Sequence, residues 1–249
     1  MDSKHVWTAA AMERLAEGSP RPAARTLGVA FLLYFLTASL AGVLTKGLVV
    51  PGDAAATATS LLAHEARYRS GFALGLVANV IYIAIAALSG RLFEPVNRGL
   101  SQIAAFCGLV GCAIQIFGGL LQLAPFLVLG DGPWSTVFAP EQLQAAALLS
   151  FELYAEIFHI SFVLFACFML ALGYLIFEST FLPRILGVAW MCAAAGGLTF
   201  LWPPLARALW SYVILPLDGL AELSLMLWLL VKGVNVAKWR EQAGFRRAG

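Results

Sequence analysis

Six apolar runs dominate the chain, at about residues 26–50, 70–92, 99–129, 150–177, 183–202 and 209–235, with polar stretches between them. A helix of about 20 apolar residues crosses the roughly 30 Å hydrocarbon layer of a bilayer, and each run reaches that length. Hydrocarbon offers no partner for exposed backbone groups, so each run must satisfy its own N–H and C=O groups as a helix. The fold class expected is therefore all-α: an integral membrane bundle of six transmembrane helices. That divides the 249 residues into an N-terminal segment, 1–25, a six-span domain, 26–237, and a basic tail, 238–249. Only 12% of residues are charged and 61% are hydrophobic, whereas soluble domains carry about a quarter charged residues. A formal charge of +2 is too small and too scattered for a nucleic-acid partner, which leaves the lipid bilayer as the expected one.

Segment 1–25 lacks the basic start and short apolar core of a cleaved leader, so the first span reads as an uncleaved anchor. Cys107, Cys112, Cys167 and Cys192 fall inside apolar runs without a CxxC spacing and read as small hydrophobes. Between the first two spans, "PGDAAATATSLLAHEARYRS" is helix-prone but too polar to cross, and suits the interface. The loop "GDGPWSTVFAPEQ" offers a Trp to the headgroup belt.

Lysine and arginine set the orientation. With the N-terminus inside, the inner side holds Lys4, Arg14, Arg21, Arg25, Arg91, Arg98, Arg184, Lys232, Lys238, Arg240, Arg246 and Arg247, twelve in all. The outer side holds four: Lys46, Arg67, Arg69 and Arg207. Both termini are expected in the cytoplasm, in a multi-pass protein of the cell (cytoplasmic or inner) membrane.

One stretch breaks the apolar pattern. "SFELYAEIFHIS", Ser150–Ser161, sets Glu152, Glu156 and His159 at i, i+4 and i+7, on one helical face. "LPLDGLAELSL" in the sixth span carries Asp218 and Glu222 at i, i+4. Asn79, Gln115 and Gln122 lie in the outer half or near the midplane by the same count. A charge at the bilayer centre costs about 2.5–3.5 kcal/mol on insertion scales. These acids are therefore expected to converge on one polar cavity open to the outer side, sharing protons or a bound cation. Pro216, one turn before Asp218, removes a backbone donor and can leave a carbonyl facing that cavity.

Three uses fit. The first is a site that binds or conducts a small ligand, ion or proton, with Glu156 and Glu222 as switching carboxyls. The second is a membrane-embedded metal enzyme acting on a lipid or apolar substrate. Glu156-x-x-His159 has the Glu-x-x-His spacing that di-iron bundles use, and Glu152, Asp218 and Glu222 could complete an oxygen-rich shell. The third is a structural or assembly role, with protonated carboxyls bonded between helices. No catalytic residue or cofactor is assigned by the sequence. His64 and Glu65 read as an exposed polar face, "AAAGG" (193–197) as a close-packing surface, and "KWREQAGFRR" as a basic lipid contact.

The second half carries longer patterns. "LGYLIFESTFLPRILGVAW" and "AELSLMLWLLVKGVNVAKW" resemble the GyL-x(3)-S-x-flPriLGv and gELSL-x-LWLL-x-KGV stretches of a bacterial multispan membrane family, domain of unknown function 4386. "EPVNRGLS" and "HEARYRSGF" upstream are similar as well. The resemblance implies a bacterial inner-membrane helical bundle and no established activity. Glu222 falls inside the second stretch, while His159 stands where the family pattern has small or apolar residues.

Overall fold

The computed structural model describes residues 20–130 and 132–245. The expectations for segment 1–19, with Lys4 and Arg14, for Arg246 and Arg247, and for the Trp134 side chain lie outside the described residues. The helices are α1 (Pro20–Thr45), α2 (Ala54–Ala63), α3 (Glu65–Phe93), α4 (Arg98–Val128), α5 (Pro140–Glu178), α6 (Arg184–Leu198), α7 (Pro203–Leu209), α8 (Leu215–Val231) and α9 (Val236–Phe245). Six segments are long and apolar enough to cross a membrane: α1, α3, α4, α5, α6 extended to Leu201, and α7 through α8.

Local chemistry sets the helix starts. Asp53 Oδ1 accepts from Ala56 N at 2.8 Å and opens α2, and Asn97 Oδ1 accepts from Leu100 N at 3.0 Å and opens α4. Pro140 opens α5 where no backbone donor is needed, and Gln142 reaches back to Ala139 N at 3.0 Å. This start lies ten residues ahead of the apolar run that begins at 150, and the difference matters below.

Consecutive spans pack side by side, and α8 closes the ring by returning to both α6 and α1. Trp190, fully buried at the centre, packs edge-on against Phe31 of α1 and Phe168 of α5, while its Nε1–H donates to Ala221 O of α8 at 2.9 Å. One residue thus joins four helices. Beside it, α5 and α6 cross at Gly173 and Gly187. A Cβ on Gly187 would stand 2.6 Å from both Gly173 O and Phe177 N, so only glycine allows this approach.

Arg21 of α1 and Lys232 after α8 line one cavity, so the spanning region begins and ends at the same face of the bundle, the terminal face. The opposite, loop face carries α2. There Leu48, Leu61 and Tyr68 form a second small core with Phe72, Phe126 and Phe151. His64 is exposed with Nδ1 beside Ser60 O, and Glu65 pairs with Arg69 at 2.6 Å.

Candidate functional site

Helix length decides the depth of the acids on α5. Its 39 residues extend roughly 58 Å, well beyond the roughly 30 Å hydrocarbon layer. Counted from Glu178 at the terminal face, His159 lies about 28 Å along the axis, Glu156 about 33 Å and Glu152 about 39 Å. With Glu178 at the terminal edge, an upright helix sets both glutamates about 30 Å or more away, toward the loop end, and both are exposed. Glu156 Oε2 lies 3.3 Å from His159 Nδ1, and the His159 side chain keeps only 14% of its surface.

The acids of α8 sit deeper. Glu222 is about 14 Å from Val231, near mid-layer, and is 4% exposed. Its Oε1 accepts from the Tyr82 hydroxyl of α3 at 3.2 Å. The Tyr82 ring is boxed by Tyr34 at 4.9 Å, Phe165 at 5.1 Å and Phe168 at 5.9 Å. Asp218, one turn earlier and half-buried, lies within electrostatic reach of Glu222, Tyr34 and Tyr82.

The structure therefore divides the residues singled out in the sequence into two places. Asp218 and Glu222 face the aromatic centre of the ring, while Glu152, Glu156 and His159 stand at the loop face. Among the described residues no three His, Cys, Asp or Glu side chains group as a metal set. The amides make bonds of their own: Asn79 Nδ2 donates to Gly75 O at 3.0 Å on its own helix, and Gln115 Nε2 donates to Ser161 Oγ at 3.1 Å across to α5. Gln122 bonds to Tyr154.

His159 faces a cavity of about 220 Å³ at the loop face, lined by Phe158, His159, Phe200, Ala206, Arg207 and Trp210. The His159 ring stacks tilted on Phe200 at 5.2 Å, and Trp210 stands edge-on to Phe158 at 5.9 Å and to Phe200 at 5.6 Å. Pro216 contributes indirectly. It cannot donate to the carbonyl four residues back, and just before it the chain widens into a π turn, Trp210–Ile214, with Leu215 N donating to Trp210 O. That turn begins with Trp210 at the cavity. Arg207 forms no ion pair among the described residues and supplies the cavity's one fixed cation.

Tyr82, Arg207, Phe200 and Trp210 are the functional candidates that helical spacing alone did not single out. Tyr82 had a usable signal: tyrosine favours membrane interfaces, and a mid-span one needs a partner for its hydroxyl.

The family pattern described as domain of unknown function 4386 matches residues 26–233, from the first span to the end of the sixth. The chain belongs to the DUF4386 family. No curated protein and no solved structure matches it. In this DUF4386 protein, the two stretches that carry the resemblance supply the Gly173–Gly187 crossing, the buried Glu222 and the residues Trp228 to Val234 at the terminal face.

Proposed function

We propose that this membrane protein binds a small amphipathic ligand at its loop face, in the cavity between α5, the end of the α6 span and the start of the α7–α8 span. The observation that carries the reading is the cavity itself: aromatic walls on three sides, with His159 and Arg207 as its polar groups. Ligand pockets have this make-up, mostly apolar with a few converging polar groups. At about 220 Å³ it lies below the 300–1,000 Å³ range of pockets for drug-sized ligands, which favours a small occupant. With Nδ1 turned to Glu156, the His159 Nε2 is the ring nitrogen available to a ligand. Arg207 favours an anionic head on the ligand, and the rings favour an apolar body. The distribution of Lys and Arg supports the loop face as the outer one.

Under this reading the switching role expected of Glu222 is replaced by a helix-joining one, because its carboxyl already holds a partner on α3. The test is ligand-detected NMR on the full chain in detergent, with benzoate and octanoate as probes and benzyl alcohol as the uncharged control. Binding of the anions that disappears in His159→Ala and Arg207→Gln, and persists in Glu222→Gln, is the expected result. Anion binding that survives both loop-face substitutions would end the proposal, as would no binding at all to the parent chain.

A further inference from the structure

A second cavity lies at the opposite end of the molecule. It measures about 610 Å³, and Phe181 and Trp228 contribute aromatic rings to its lining. Arg21, Lys232 and Arg240 line it, and among the described residues no carboxylate does. Three helical elements contribute one cation each: the start of α1, the end of α8 and the body of α9.

The sequence builds this cavity deliberately. Gly233 turns the chain out of α8 at φ +68°, a conformation that disfavours any side chain. Asn235 N then donates to Phe181 O at 3.4 Å, and Asn235 Oδ1 accepts from Lys238 N at 3.2 Å, which starts α9. From there α9 crosses the terminal face under two ties. Trp239 Nε1 donates to Leu92 O at 3.0 Å, and Gln242 Oε1 accepts from Thr180 N and Oγ1, each at 3.1 Å. The Arg240 side of α9 is thereby fixed beside the end of α8.

Depth points to the occupant. Lys232 directly follows the last residue of the sixth span and Arg21 is the second described residue of the first. The ends of spans are the depth at which lipid phosphates are met, and Phe181 and Trp228 line the same cavity. Basic pockets at the ends of transmembrane helices hold anionic headgroups, and 610 Å³ falls within the size range of ligand sites.

We propose that this cavity binds a phosphate-bearing group, with Lys232 and Arg240 as its charged contacts and Phe181 and Trp228 against its apolar portion. The experiment measures the thermal stability of the full chain in neutral detergent with dihexanoyl phosphatidylglycerol, with dihexanoylglycerol, or with inorganic phosphate. Phosphatidylglycerol should raise the Tm and dihexanoylglycerol should not. Inorganic phosphate raising it equally identifies a free phosphate as sufficient, while an effect of the lipid alone identifies a headgroup with its chains. The Lys232→Gln/Arg240→Gln variant should weaken the apparent affinity about tenfold or more, since each lost contact is a charge-assisted hydrogen bond. Lys238→Gln/Arg184→Gln removes the same charge from the same face outside the cavity and should bind as the parent does. Equal weakening in both double variants would overturn the proposal, as would full stabilisation by dihexanoylglycerol, or no stabilisation by either phosphate compound.

Discussion

The Tyr82 hydroxyl reaches Glu222 from a helix 140 positions earlier in the chain, and the energetics of that pair can be separated from any ligand. A buried polar group that loses its partner costs about 1–3 kcal/mol. Hydrogen bonds between transmembrane helices average about 0.6 kcal/mol, because the unfolded chain in a membrane also finds partners. Tyr82→Phe and Glu222→Leu should therefore each destabilise the bundle by about 1 kcal/mol. The combined Tyr82→Phe/Glu222→Leu variant should recover part of that loss, since it leaves neither partner unpaired. Reversible unfolding in mixed micelles reads the cycle, and strictly additive losses would mean the hydrogen bond is not what holds these positions. Glu222 was legible in the sequence because an acid inside an apolar run is conspicuous. Its partner was not, because tyrosine occurs in cores and interfaces alike, and nothing in spacing along one helix reveals what faces it from another.

At the scale of elements, the positions of the six spans were readable from apolar runs, but the length of α5 was not. Residues 140–149, "PEQLQAAALL", are good helix formers behind a proline, so the helix continues past the membrane edge where hydropathy falls off. Counting depth from residue 150 put Glu152 and Glu156 inside the bundle; counting from Glu178 puts them at the rim, where exposure costs little. The α5–α6 crossing was not singled out in the sequence, although "GYL" and "LGV" each offer a small residue. Gly187→Ala places a methyl against the backbone of α5, which no rotamer change relieves. The helices must separate, at a cost of about 1–3 kcal/mol for overpacking. A Cβ at Gly75 on α3 meets nothing within 4 Å, so Gly75→Ala should leave stability unchanged or slightly improved. Thermal melts of the two variants test the contrast, and equal behaviour would mean that the crossing is looser than the 2.6 Å between a Cβ added at Gly187 and Gly173 O implies.

For the whole molecule, the ring of six spans leaves two faces with different chemistry, and the choice of which face is inside governs both proposed sites. The terminal face carries Arg21, Arg25, Arg91, Arg98, Arg184, Lys232, Lys238 and Arg240 among the described residues, while the loop face carries Lys46, Arg67, Arg69 and Arg207. Two of the loop-face cations are already held: Arg67 donates to Val43 O and Lys46 O, and Arg69 pairs with Glu65 and lies over Phe126 at 4.7 Å. On the terminal face Arg98 likewise pairs with Glu94 at 3.3 Å and Arg184 lies over Phe177 at 5.5 Å, so the contrast between the faces rests on the residue count. Positive residues near span ends are retained on the cytoplasmic side, so the terminal face should be internal. The test starts from a variant with all four cysteines replaced, carrying Ala55→Cys at the exposed loop face or Lys238→Cys at the exposed terminal face. A membrane-impermeant maleimide on intact cells should label the Ala55→Cys chain, and should label the Lys238→Cys chain only after permeabilisation. The reverse pattern would turn the molecule over. It would put the His159 cavity on the cytoplasmic side and leave Lys232 and Arg240 facing the outer leaflet, where anionic lipid is not what the charge distribution would have been retained for.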